Sequence, residues 1–291
     1  MYAFVKCHER QHPTKIQCRV LGLSRSAYYA WLSGKTHLIS EEDKQMEQSI
    51  IATFKEHKRR YGARRIAEAL AGEGITRYHA GNVLRCNGLK AIQPRSFVPK
   101  TTDSRHTYAI SPNLLLDRAA PQRPNEVWVS DITYIPLLSG IWAYLCIWMD
   151  LFSRKIIGWH IDNNMQEQLI TTALKRALAS REKKRGIIIH SDRGGQYAGK
   201  VFRQLLDKNQ FTQSMSRADN PYDNAFMEAY FSRFKAELLQ DGIFQNIEDA
   251  RSEIFEYIEM YYNTKRLHSS LGYQSPNDYE KMYYYCLNKE I

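Results

Sequence analysis

The chain has 291 residues, enough for two or three domains with sizeable cores, and a formal net charge of +10. Hydrophobic content of 43% and aromatic content of 12% exclude wholesale disorder. The best apolar run, residues 141–149, falls far short of the ~18–20 residues that a membrane helix needs.

The charge is uneven along the chain. Residues 1–120 hold 20 basic and 10 acidic side chains, whereas residues 121–291 hold 21 of each. A basic part that meets a polyanion, joined to a neutral part with another task, fits this split; a plain basic surface is the simpler alternative. His8, Glu9 and Arg10 stand where a signal peptide needs an apolar stretch. The cysteines (Cys7, Cys18, Cys86, Cys146 and Cys286) are odd in number and show no CxxC spacing. Reduced thiols in a cytoplasm, with no membrane attachment, are expected.

Residues 14–33 read as a helix-turn-helix. Ile16, Val20 and Leu21 give an apolar stripe, Gly22 breaks the helix, and Ser24 caps a second helix holding Tyr28, Tyr29 and Trp31. Residues 41–57 form a polar helix. A second helix-turn-helix follows, with Ile66, Ala67 and Leu70 on one face, turns at Gly72 and Gly74, and a Thr76-capped helix running past Leu84 to Gly88. Lys58, Arg59, Arg60, Arg64 and Arg65 put five positive charges into eight residues, and Arg77, Tyr78, Asn82 and Arg85 fall at spacings that allow an exposed face. Phosphate contact is favoured over a solvated helix entrance. Pro94, Pro99, Pro112, Pro121 and Pro124 mark a linker.

Beyond it the pattern changes. Strands are predicted at 127–135, 141–149 and 155–161, an amphipathic helix at 165–179, and a wholly apolar central strand at 186–190. A helix at 200–208, a strand at 211–215 and a long helix at 221–239, with Asn220 as cap and Pro221 first, complete the series. The fold class is α/β: a ribonuclease-H-like mixed five-stranded sheet with flanking helices, preceded by all-α helix-turn-helix segments. The expected divisions are 1–38, 39–92, a linker 93–124, a core 125–240 and a helical, Tyr-rich tail 241–291.

Three acids stand out by position. Asp131 lies inside the first strand, where an uncompensated carboxylate costs several kcal/mol. Asp192 follows the central strand, at the carboxyl end where α/β sheets place their sites. Glu228 sits on the last core helix. Taken singly, each has an ordinary alternative: a turn cap, a loop acid beside Gly-Gly, an exposed helix acid. Together they are far more specific. Asp192 and Glu228 are separated by 35 residues; Asn224 precedes Glu228 by four and Lys235 follows it by seven, all on one helix face.

The stretches Trp128–Tyr134, His190–Tyr197, Asp223-Asn224-Ala225 through Glu228 with Lys235, and Tyr262–Pro276 resemble the motifs of DDE transposases of insertion sequences. The closest likeness is to the second-frame (OrfB) protein of the IS-three family, in the retroviral-integrase superfamily. The resemblance implies an enzyme that cuts and joins double-stranded DNA at element ends by divalent-metal phosphodiester hydrolysis and strand transfer. Three converging carboxylates repel one another unless a cation is present, and hard oxygen ligands suit two Mg²⁺ or Mn²⁺ ions. Asp131, Asp192 and Glu228 would be catalytic metal ligands, with Asp131 bridging as carried over from the superfamily. Lys235 would meet DNA phosphate near the site; Arg64, Arg65, Arg77 and Arg85 would bind DNA; and Asn224, His190 and Arg193 are supporting candidates. A multimer holding two ends, and fusion to the upstream-frame protein by frameshift, belong to the same expectation. A zinc module built on Cys7, His8, His12 and Cys18 is weighed against scattered surface residues, and the latter are favoured because the family's CxxC is absent. Two alternatives remain: a metal nuclease of this fold without strand transfer, and a non-catalytic helix-turn-helix regulator. Asn263, Arg266 and His268 either contact DNA or pin the tail to the core.

Overall fold

The computed structural model describes residues 1–34, 40–93, 109–116, 118–181, 185–217, 221–239 and 243–289. The chain divides into two units, Met1–Lys90 and Ala91–Ile291.

The first unit opens with α1 (Tyr2–Cys7), α2 (Thr14–Val20) and α3 (Arg25–Leu32). Gly22 adopts φ 63° between α2 and α3, where a residue without Cβ bears no steric cost. The Ser24 hydroxyl accepts from the Ala27 N–H at the start of α3. The inward face of α2 departs from the expected stripe: Val20 is 75% exposed and Ile16 46%, while Gln17 and Cys18 are buried. The cause is α1, which has no counterpart among the predicted elements. Its Val5 packs with Cys18 and Tyr28. The Gln17 amide turns inward to donate to the His8 and His12 carbonyls in the turn that follows α1. Cys18 is therefore a core residue, not a surface one.

Next come α4 (Glu41–Glu56), α5 (Ala63–Ala69) and α6 (Arg77–Cys86). Three acids in the first turn of α4 suit the positive end of its dipole. Thr76 and His79 close a capping box at α6. Ile50 and Phe54, Ile66, and Ala80 and Leu84 are the buried apolar residues of the three helices.

The second unit runs β1 (Val127–Pro136), β2 (Trp142–Asp150), β3 (Ile156–Asp162), α7 (Glu167–Ala179), β4 (Ile188–Ser191), α8 (Gly195–Ala198), α9 (Lys200–Lys208), β5 (Thr212–Met215), α10 (Ala225–Leu238), α11 (Ile247–Phe255) and α12 (Pro276–Leu287). The sheet order is β3-β2-β1-β4-β5, with β2 antiparallel to both neighbours and β4 and β5 parallel. This is the predicted mixed ribonuclease-H-like sheet. The short, unalternating β4 lies inside it, as a strand covered on both faces must.

One face of the sheet is buried under α7, α8 and α9 through Trp128, Cys146, Trp148, Leu174, Tyr197 and Phe202. Helix and sheet are in intimate contact here: a Cβ on Gly158 would stand 2.5 Å from the Ala177 nitrogen. On the other side α10 packs on β1, turning Met227, Phe231 and Phe234 inward.

Two of the later helices differ from the prediction. The expected helix 221–239 starts as a 3₁₀ turn, Pro221–Asn224, before α10. Asp223 is drawn out of helical register, since its carboxylate accepts from Arg217 and Asn113 and its carbonyl from His190 Nε2. Asn220 lies outside the described residues. α11 also continues as a π-helical stretch, Glu256–Tyr262.

Residues 111–114, in the stretch read as linker, lie along β5. Ser111 donates to Gln213, Met215 N–H to the Pro112 carbonyl, and Leu114 N–H to Ser214 Oγ.

The tail signature is architectural. Asn263 Oδ1 accepts from Ile156 N–H and its Nδ2 donates to the Ile156 carbonyl, extending the ladder at β3. Arg266 is buried and grips Glu237 through Nε and Nη2. This decides the alternative left open by the sequence, at least for Asn263 and Arg266.

Candidate active site

β1 and β4 pair in parallel as far as Val129 and His190. Two residues on, Asp131 and Asp192 stand beside each other on one face, because strand side chains alternate with period two. It is the α10 face: Ser130, pointing the other way, bonds Tyr197 in the α7–α9 layer. Asp131 Oδ1 accepts from Ile132 N–H at 2.8 Å, and Asp192 Oδ1 from Gly194 N–H at 2.9 Å. Burial pushes the Asp131 carboxyl well above the usual carboxylate range. The negative charge of Asp192 is the next cause and Glu228 adds to it, while the Ile132 N–H and Lys235 oppose the rise. The structure thus brings Asp131, Asp192, Glu228 and Lys235 into one electrostatic neighbourhood.

The four differ in setting. Glu228 is exposed in the first turn of α10, beside the buried Met227 and Phe231, where the helix dipole favours a carboxylate. Lys235, two turns along, is half-buried; burial lowers its pKa and the charge of Asp131 counters this. Among the described residues, no three His, Cys, Asp or Glu side chains are gathered closely enough to hold a metal ion.

Two of the supporting candidates, His190 and Arg193, tie neighbouring segments together. His190 is fully buried. A carbonyl can only accept, so Nε2–H donates to the Asp223 carbonyl at 3.0 Å; Nδ1 then accepts from Ser214 Oγ at 2.9 Å, whose oxygen accepts from Leu114 N–H. Burial lowers the His190 pKa, in keeping with a neutral ring. This chain of bonds links the strand before Asp192 to the turn that launches the Glu228 helix. Arg193 Nε donates to the Ser216 carbonyl at 2.6 Å, holding the Asp192 turn to the end of β5. Asn224 is buried, and its Oδ1 meets no donor among the described residues.

Tyr197 closes the His190–Tyr197 motif and is fully buried. Its hydroxyl bonds Ser130 Oγ at 2.8 Å beneath the sheet, so the turn after Asp192 is braced to the residue before Asp131. A buried tyrosine needs such a partner, which is the signal the sequence offered. Nearby Cys146 is an inert thiol, its pKa pushed up to about 12 by burial.

The basic candidates lie in the first unit. Arg64, Arg77 and Arg85 are exposed and Arg65 is half-buried near the Tyr61 ring. Arg85 donates to Asn82. All five cysteines are free thiols, and no helix among the described residues is long and apolar enough to cross a membrane.

The Integrase core domain family matches residues 121–221, a second Integrase core domain family matches 209–276, and the HTH-like domain family matches 40–97. The transposase for insertion sequence element IS904 of Lactococcus lactis subsp. lactis (strain IL1403) is 40% identical over 238 residues, covering 81% of this chain and 93% of that protein. The transposase InsF for insertion sequence IS3A of Escherichia coli (strain K12) is 35% identical over 284 residues, covering 96% and 98%. Among solved structures, the HTLV-2 integrase catalytic core domain in complex with magnesium (trimeric form) is 13% identical with a TM-score of 0.42, over 55% of this chain and 98% of that one.

Proposed function

Because the chain belongs to the insertion-sequence transposases with an integrase core, we propose that it cuts the ends of its own mobile element and joins them to DNA at the site formed by Asp131, Asp192 and Glu228. The observation that carries this assignment is the placement of two acids side by side at the end of the β1–β4 pair, with Glu228 and Lys235 within electrostatic reach.

The donor set fits a hard divalent cation. Asp131 and Asp192 offer adjacent carboxylates whose repulsion a cation relieves, and Glu228 offers a third, solvent-accessible one. Asp131, Asp192 and Glu228 are the residues that would hold the Mg²⁺ or Mn²⁺ ions. When bound, the ions supply Lewis-acid stabilisation of the phosphate oxygens and activate a water or 3′-hydroxyl for attack.

The chain's own groups do the rest. Lys235 places a positive charge beside Asp131 for a phosphate oxygen near the scissile bond. His190, through the Asp223 carbonyl, and Arg193, through the Ser216 carbonyl, hold the two acid-bearing segments in position. Asn224 Oδ1 takes a donor that arrives with the DNA, relieving a buried acceptor that otherwise costs about 1–3 kcal/mol.

The first unit grips the element ends. Arg77 sits in the first turn of α6, a turn with no acid, where the helix dipole disfavours a cation until a phosphate joins it. Arg64, Arg65 and Arg85 extend that surface, with residues 39–92 as its module. The reaction needs two ends together, so a homo-oligomer on DNA follows, acting in the bacterial cytoplasm with the nucleoid; fusion to the upstream-frame protein would supply further assembly contacts.

The test is a Glu228→Gln variant on a duplex ending in the element's terminal repeat. Mg²⁺-dependent cleavage and joining are lost while DNA binding persists. Joining at the wild-type rate would refute the site. Wild-type cleavage without any joining would favour a simple nuclease, and binding without either reaction a regulator.

A further inference from the structure

At the opposite end of β1 and β4 from the carboxylates, Arg118, Arg123, Asn125, Glu126 and Arg185 line an open cleft of about 420 Å³. Asp131 stands five residues beyond Glu126, roughly 16 Å away at about 3.3 Å per strand residue. The cleft is therefore separate from the catalytic acids.

Its composition is unbalanced. Three guanidinium groups face one carboxylate. Glu126 accepts from Arg123 Nε at 3.1 Å and stands 3.7 Å from Arg118 Nη2, so it orders two of the arginines. Arg185 is exposed and forms no ion pair among the described residues. Asn125 adds a fixed wall. It is 7% exposed and takes φ 65°; its N–H donates to Asp150 Oδ2 at 2.8 Å, and its Oδ1 accepts from Trp128 Nε1 at 3.2 Å. An indole nitrogen only donates, so chemistry settles which end of the carboxamide faces Trp128. The Asn125 NH₂ is left as a donor with no hydrogen-bond partner among the described residues.

We propose that this cleft binds a phosphate of the DNA backbone, forming a second DNA contact remote from the site of chemistry. Donors outnumber acceptors, and planar guanidinium forks match phosphate oxygens in pairs. A DNA phosphate fits better than a free ion because Arg118 and Arg123 keep side chains 42% and 70% exposed, an open channel through which a polymer can pass. The inference rests on the reading that the chain acts on DNA, but not on which residues perform the chemistry.

The experiment measures the affinity of the full chain for an element-end duplex as a function of salt. The proteins are wild type, Arg185→Ala, Arg123→Ala/Arg185→Ala, and Lys175→Ala as a control for loss of an exposed charge. Each lost phosphate contact lowers the slope of log K against log salt by about 1, which is about an eightfold loss of affinity at 0.1 M salt. Arg185→Ala therefore shows a reduced slope, the double variant a further reduction, and Lys175→Ala the wild-type slope. Single-turnover cleavage at saturating DNA stays within twofold of wild type for Arg185→Ala. A wild-type slope for both arginine variants overturns the proposal, as does calorimetric binding of inorganic phosphate that needs Arg185 while the DNA slope does not. Wild-type chemistry by Glu228→Gln would refute the catalytic assignment and leave the slope result standing.

Discussion

Glu237 and Glu280 anchor the tail, Asp131 and Asp192 close the β1–β4 pair, and the two sets of acids are neutralised differently. Arg266 meets Glu237 through Oε1 at 2.6 Å and Oε2 at 3.0 Å, and the Tyr257 hydroxyl donates to it as well. Burial pushes the Glu280 carboxyl up, but hydrogen bonds from Arg181 and Ser153, with the charges of Arg181 and Lys155, bring it below its ordinary value. For Asp131 the strongest charged neighbour is another carboxylate. An acid whose cost is answered inside the chain is a strut. An acid whose neighbours worsen its cost is one that, on the proposed reading, a cation from outside would relieve.

The comparison breaks most visibly in activity. Asp131→Asn should lower Mg²⁺-dependent strand cleavage by roughly 1,000-fold or more, while the melting temperature holds or rises because a buried repulsion is removed. A large drop in melting temperature would mean that Asp131 is itself a strut.

The converse change falls on the tail. Arg266→Ala leaves Glu237 buried and uncompensated, a loss of about 3–5 kcal/mol in urea unfolding. The double variant Glu237→Met/Arg266→Met should regain most of it. If the single and double variants are equally unstable, packing rather than charge holds the tail.

Asp150 sharpens the contrast as an intermediate case. Burial raises its carboxyl to about 6, although the Asn125 and Phe152 N–H groups and Arg181 counter the rise. The folded protein then holds this proton more tightly than the unfolded chain. The contribution of Asp150 to stability is full below pH ~4 and lost as pH rises through about 6, worth about 3 kcal/mol across the window. Unfolding titrations from pH 4 to 7 should show that slope, and Asp150→Asn should flatten it. An unchanged slope would assign it to other groups.

The smallest effect is expected at the brace beneath the acids. Tyr197→Phe removes one buried hydroxyl contact and should cost about 1 kcal/mol of stability. A cost near zero would show that Ser130 finds another partner.

The central sheet was legible because its signals are local. The unalternating run before His190 could only be a covered strand, and an acid inside β1 is out of place unless it works. The spacing of Asp192, Glu228 and Lys235 marked the end of β4 and one face of α10. What stayed hidden depends on distant partners. Val20 and Ile16 look like a core stripe until α1 takes the inner position. Arg266 finds Glu237 29 residues back, and Asn263 finds Ile156 107 back, distances that no periodicity encodes. The 3₁₀ turn before α10 likewise arises from His190, Arg217 and Asn113 pulling on Asp223.

The most direct measurement compares Asp131→Asn and Glu237→Met/Arg266→Met in one single-turnover assay. The substrate is an element-end duplex with Mg²⁺, held well below both melting temperatures. The account predicts cleavage abolished in Asp131→Asn and within tenfold of wild type in the tail variant. Cleavage retained by Asp131→Asn, or lost equally by both folded proteins, would contradict it.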